Sequence, residues 1–169
     1  DATHASGALP AGKAFQPRVQ SGGANGKLLQ VVVEQMLTLQ LNRTTGVSSI
    51  VNTSGVAGGL NNVDITGYQV ESKYGSLSGA GWNSLTDQAV AGWQETPPNA
   101  NSVGELKSTA GGTTVAGASS RALGDIFTQV FPAFGADPDD DVTFSYTTAD
   151  GVRQGLIDLQ GKKVFNNLI

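Results

Sequence analysis

From Lys27 onward, hydrophobic and polar positions exchange every second residue, the period of a strand that buries one face. Leu28-Leu29-Gln30-Val31-Val32-Val33 is a β-branched, apolar run, and Leu37-Thr38-Leu39-Gln40-Leu41-Asn42 alternates strictly. Thr44-Thr45-Gly46 then predicts a turn into Val47-Ser48-Ser49-Ile50-Val51-Asn52, which makes a hairpin in which Gly supplies the positive φ. Val63-Asp64-Ile65-Thr66-Gly67-Tyr68-Gln69-Val70 predicts one further strand with Val63, Ile65, Tyr68 and Val70 inward and a bulge at Gly67, and Tyr74 to Leu77 extends the same edge. Segments 81–85 and 87–93 read as a short helical turn in a long loop closed by Pro97-Pro98-Asn99. Shorter candidates follow at Val103–Leu106, Thr113–Val115 and Ala122–Val130. A second hairpin is predicted over Val142-Thr143-Phe144-Ser145-Tyr146-Thr147, Ala149-Asp150-Gly151 and the run from Val152 to Leu159. The last stretch, from Lys162 to Ile169, is apolar enough for another strand or a docked tail.

Seven to nine short strands with turn signals about every ten residues predict a single all-β domain, a β-sandwich of jelly-roll type, over residues 27–169. Residues 1–26 read differently. They are rich in Gly, Ala, Ser and Pro, show no period, and carry Leu9, Phe15 and Val19 as isolated apolar residues, which predicts an extended tail. Such a tail holds a fixed position only when docked, on its own domain or on a neighbour.

Composition narrows the function classes. The 169 residues include 23 Gly, and 14% are charged, which suits turn-connected strands. A net charge of -4 with scattered Lys and Arg argues against nucleic acid and against anionic membranes. Without cysteine there is neither a disulfide framework nor a thiolate metal site. No apolar run is long enough to span a bilayer. The polar opening Asp1-Ala2-Thr3-His4-Ala5-Ser6-Gly7 reads as a mature terminus left by a signal peptidase, although an artificial boundary would look the same.

The ordered series Leu37–Asn42, Thr44-Thr45-Gly46, Ile50-Val51-Asn52, Ile65-Thr66-Gly67-Tyr68, Gly75-Ser76-Leu77, Gly81-Trp82-Asn83-Ser84-Leu85 and Gly92-Trp93-Gln94-Glu95 resembles a β-sandwich module of secreted planctomycete-type bacterial proteins, often found near dockerin or PEP-CTERM sorting segments. The likeness continues through Ser102–Leu106, Leu123-Gly124-Asp125-Ile126-Phe127 and Val142–Tyr146 and covers roughly residues 35 to 160. What it implies is an extracellular, non-catalytic β domain. It transfers no catalytic residue.

The remaining candidate chemistry is sparse. His4, the only histidine, falls in the tail, so a Ser/His/Asp triad would draw on the least structured segment and a multi-histidine metal site is excluded. Asp137, Asp139, Asp140 and Asp141 put hard oxygen ligands in one loop and make calcium the one cofactor to consider, but they lack EF-hand spacing, and a solvated loop is the more common outcome. Glu71, Glu95 and Glu105 are acids without a context that recommends glycoside hydrolysis. Tyr74, Trp82 and Trp93 could stack on sugar rings, although Gly and apolar neighbours favour the core for both indoles. Asn42-Arg43-Thr44 and Asn52-Thr53-Ser54 match the N-glycosylation sequon weakly. The function expected is therefore a structural subunit of an extracellular filament, sheath or surface layer. It would be a homopolymer in which the N-terminal tail, anchored by Leu9, Phe15 and Val19, docks on the next subunit. A carbohydrate-binding module using Tyr74, Trp82 and Trp93 is the alternative.

Overall fold

A computed structural model describes residues 13–22, 26–54, 61–130 and 137–162, the first two strands by their backbone alone. Those strands are β1 (Lys13–Gly22) and β2 (Gly26–Gln35), followed by β3 (Leu37–Asn42), β4 (Val47–Asn52), β5 (Val63–Ile65), β6 (Gly67–Ser72) and β7 (Leu77–Trp82). The later strands are β8 (Trp93–Glu95), β9 (Ser102–Lys107), β10 (Thr113–Val115), β11 (Ser119–Phe127), β12 (Val142–Thr148), β13 (Gly151–Gln154) and β14 (Leu156–Gln160). The chain is all-β. Its strands assemble into two five-stranded sheets, ordered β14-β3-β4-β11-β7 and β13-β12-β6-β9-β8, with β5 and β10 forming a small ribbon. This arrangement is β-sandwich-like, and one buried cluster draws on both large sheets.

The alternation seen along the chain is the reason. Leu37, Leu39 and Leu41 of β3, Ile50 of β4 and Leu123 of β11 line one sheet, while Tyr68 and Val70 of β6, Val103 of β9, and Val142, Phe144 and Tyr146 of β12 line the other. All are buried, so each strand hides one face of its pleat as its period requires. Phe144 and Tyr146, two residues apart on one face, bring their rings to 5.8 Å.

Both predicted hairpins form. β3 and β4 pair antiparallel around Gly46 at φ 78°, and β12 pairs with β13 around Asp150-Gly151. Three expectations need correction. Residues 63–70 are two strands, because the chain leaves one ribbon at Thr66 and enters the β6 sheet at Gly67. The same four apolar residues stay inward, and no bulge is required. Residues 73–75 turn the chain instead of extending the edge, and β7 belongs to the opposite sheet. The run from Val152 to Leu159 likewise splits at Gly155, where β14 crosses over to lie parallel to β3. These crossings, which multiply short segments, raise the strand total above the seven to nine expected.

Residues 13–22 also depart from the tail reading. They form β1, which pairs with β2 over ten antiparallel register positions from Lys13↔Gln35 to Gly22↔Gly26. Among the described strands this ribbon joins neither large sheet. Pro17, which cannot donate to a ladder, and the Gly and Ser around the strand hid its period.

The crossover at Gly155 is tight. A Cβ there would fall 2.2 Å from Phe144 Cδ1 and 2.9 Å from the Leu37 carbonyl oxygen, so only a glycine lets the chain pass between the two sheets. Gly155→Ala is expected to lower stability by ~1–3 kcal/mol, the usual cost of overpacking. Urea unfolding measures it, and an unchanged midpoint would mean that the crossover has slack.

Candidate functional site: a buried carboxylate centre and an exposed sheet face

The sequence-predicted sugar platform is not formed by the indoles. Trp82 is 7% exposed and Trp93 4%, and Tyr74 is half-buried. Trp82 Nε1–H donates to Tyr68 Oη at 3.1 Å, and Trp93 Nε1–H donates to Thr113 Oγ1 at 2.8 Å. Both rings are thus packed and hydrogen-bonded inside the fold, which withdraws the stacking faces a pyranose would need. Tyr74 instead lies beside Lys73, whose Nζ sits 5.1 Å from its ring centroid.

What gathers around Trp82 is a polar centre that pattern reading passed over. Glu105 occupies an inward position of β9, directly opposite Tyr68 of β6, and is fully buried. Its carboxylate accepts from Tyr68 O–H at 2.5 Å, Leu85 N–H at 2.7 Å, Thr86 N–H at 2.8 Å and Thr86 O–H at 2.8 Å. Four donors offset the desolvation of the charge. They also fix the helical turn at 85–89, which Ser84 caps by accepting from Asp87 N–H at 2.9 Å while its own hydroxyl donates to Glu95 at 2.5 Å. The turn is shorter than expected, because Gly81 and Trp82 end β7 and Trp93 opens β8, and carboxylates of the neighbouring sheet hold what remains of it.

Burial raises the Tyr68 phenol well above the ordinary tyrosine range, and the adjacent Glu105 carboxylate, as hydrogen-bond acceptor and as negative charge, pushes it the same way. The folded state keeps this proton while the unfolded chain loses it near pH 10, so stability is present below that pH and falls as the pH rises above it. Tyr68→Phe removes this loss and leaves Trp82 N–H without its acceptor. The variant is expected to be ~1–3 kcal/mol less stable at neutral pH, with a shallower alkaline decline. Glu105→Gln, which sets an amide N–H₂ against donors, is expected to cost at least ~2 kcal/mol. Thermal unfolding from pH 7 to 11 reads both, and a wild-type slope in Tyr68→Phe would refute the assignment.

The aspartate run does not form a single cage. Asp137 begins the 3₁₀ turn at Pro138–Asp140, accepting from Asp139 N–H at 3.0 Å; Asp139 pairs with Arg43 at 2.7 Å; Asp140 is exposed. Asp141 is buried, accepting from Ser72 O–H at 2.7 Å, Tyr74 N–H at 2.8 Å and Ser76 O–H at 2.5 Å, so it fastens the turn between β6 and β7. Three of the four aspartates thus have separate partners, and the fourth, Asp140, faces solvent. Among the described residues no group of three or more His, Cys, Asp or Glu is placed to hold a metal ion. Asn52 of the second sequon is buried and its Nδ2 donates to the Asn61 and Val115 carbonyls, which leaves it no freedom to carry a glycan.

For the tail anchors, Leu9 and also His4 lie outside the described residues. Phe15 and Val19 fall in β1, opposite Val33 and Leu29. By the two-residue alternation, positions 15, 17 and 19 share one face of the ribbon with 33, 31 and 29, so Phe, Pro, Val, Val, Val and Leu occupy one side of it. Positions 14, 16, 18 and 20, with 34, 32, 30 and 28, occupy the other, where Gln16, Arg18, Gln20, Gln30 and Glu34 make it the more polar side.

The large sheets offer little edge for strand addition. β8 and β13, which flank one sheet, have three and four residues, and β14 on the other has five. Residues 98–100 pack against β7, where Pro98 meets Gly79 and Leu77 N–H donates to the Ala100 carbonyl at 2.9 Å. Short or covered edges resist edge-to-edge pairing.

The outer face of the β13-β12-β6-β9-β8 sheet is different. A shallow depression of about 320 Å³ there is lined by Gln69, Glu71, Leu106, Ser145, Thr147 and Val152. Leu106 is 57% exposed and Val152 70%. They stand three strands apart in one cross-strand row, because Gly67 pairs with both Leu106 and Thr147, and Thr147 pairs with Val152, and the row runs on from Leu106 to Gln94 of β8.

No protein-family model matches the chain, and neither a curated protein nor a solved structure matches it.

Proposed function

We propose that this chain is a non-catalytic, self-associating structural subunit of an extracellular filament, sheath or surface layer, in which the N-terminal segment docks on a neighbouring copy. In this reading the two large sheets are the layers of a jelly-roll-like sandwich, and the planctomycete-type resemblance accounts for an extracellular setting. The observation that carries it is the ribbon β1–β2, ten pairs long, with one apolar side and no place in either large sheet. A two-stranded ribbon is at best marginal in water by itself and gains stability when its apolar side is covered. Charge supports association between copies. Residues 13–35 hold Lys13, Arg18 and Lys27 against Glu34, a net of +2, whereas residues 36–169 hold seven basic and twelve acidic residues, a net of -5.

Among the residues whose burial is described, the core members lie at residue 37 or beyond, in the part of the chain that a truncation of residues 1–35 retains. The truncated protein is expected to be a folded monomer under conditions in which the full chain associates. Sedimentation velocity at matched concentrations decides the matter: equal association of the two proteins, or a full chain that stays monomeric, would refute the reading.

A further inference from the structure

We infer that the acceptor for the ribbon is the outer face of the β13-β12-β6-β9-β8 sheet of a second copy, centred on the row from Leu106 to Val152. This rests on the self-association proposed above and specifies its interface.

Three observations converge on this face. It carries two exposed aliphatic side chains in one row, Leu106 of β9 and Val152 of the edge strand β13, separated by Gly67 and Thr147. Gly67 matters to the shape, since a Cβ there would meet Leu106 Cδ2 at 2.7 Å, so its absence leaves Leu106 free to lie along the sheet and the row low. Amides and hydroxyls of Gln69, Ser145 and Thr147 floor the depression, and Glu71 is the charged residue among its lining.

The dimensions agree. From Leu106 to Val152 the row crosses three strand spacings of ~4.8 Å, about 14 Å in all, and the apolar side of the ribbon from position 15 to 19 runs four residues at ~3.4 Å, again about 14 Å. Matching the two lengths lays the ribbon along the row and across the strands of the acceptor, the near-orthogonal mode of sheet packing.

The charge agrees as well. Lys13 and Lys27 fall on the apolar side at opposite ends of its hydrophobic block, and they belong to a cationic segment meeting an anionic body at a face that carries Glu71. Docking a ribbon this way uses its face, so it needs no long free edge on the acceptor.

The absence of native cysteine makes the contact directly testable by cross-linking in the full chain. One preparation carries Val31→Cys alone, and others carry Val152→Cys alone or, as a control on the opposite sheet, Val47→Cys alone, a half-exposed position. Mixed and oxidised, Val31→Cys with Val152→Cys is expected to give a disulfide-linked dimer of unlike chains in at least tenfold excess over the Val47→Cys control. Equal yields in the two mixtures would overturn the inference. So would an intramolecular disulfide in a Val31→Cys/Val152→Cys double variant at high dilution, since the ribbon would then cover its own domain.

A second measurement separates this inference from the reading beneath it. Leu106→Asp/Val152→Asp in the full chain changes exposed residues and is expected to abolish association while preserving the unfolding midpoint within a few degrees. If this variant associates like wild type while the 1–35 truncation does not, the ribbon assembles the protein but on another surface. If the truncation associates too, both ideas fall.

Discussion

The buried carboxylate of Glu105 is the constraint on which the centre of the molecule depends. An ionised group with no exposed surface is tolerated only when donors replace its water, and here those donors come from β6 and from the turn after β7. Satisfying it therefore fixes three things together. Tyr68 must point inward, the turn at 85–89 must sit against β9, and Trp82 must reach the Tyr68 oxygen across the interior. Because Trp82 belongs to β7 and Tyr68 to β6, the polar chain joins one large sheet to the other. Burial of Trp82 follows from this, and the Trp93 ring, held by its own bond to Thr113, lies 6.0 Å from the Tyr68 ring.

Asp141 repeats the principle at one end of the molecule. A single buried carboxylate takes two serine hydroxyls and a backbone N–H, and the chain between β6 and β7 folds around it. In a protein without disulfides, buried acids of this kind supply directional links that apolar packing alone does not. Both carboxylates are thereby committed to backbone and hydroxyl donors of the fold itself.

Much of the fold was legible because alternation has one simple cause. Strands such as Leu37–Asn42 and Val142–Thr148 bury every second residue, and turns marked by Gly46 and Gly151 fall where positive φ is needed. What alternation cannot reveal is which sheet a strand enters. Thr66 to Gly67 and Gly155 keep the inward period intact while changing partners, so residues 63–70 looked like one strand and 152–159 like one arm of a hairpin. Glu105 was missed for a related reason. The acids Glu71, Glu95 and Glu105 offer no context for glycoside hydrolysis, and the signal that singles out Glu105 is its place in the period, two residues from the inward Val103. The β1 period was obscured by Pro17, and only pairing with the plainly apolar β2 exposes it.

The same sheet crossings bear on the proposed assembly. The crossing at Gly155 shortens β13 and β14, and β8 has three residues, so all three flanking strands limit the hydrogen bonding an added strand could gain. A ten-residue donor would find at most half its length matched at any of these three. The two strands of the ribbon already pair with each other, and in the proposed assembly its apolar side is served by a face. Association through a face also scales differently from association through an edge: it buries apolar area and is weakened little by salt, while the opposite charges of ribbon and body act mainly on the rate and orientation of encounter. A subunit built this way would polymerise under conditions in which ionic steering is screened, only more slowly.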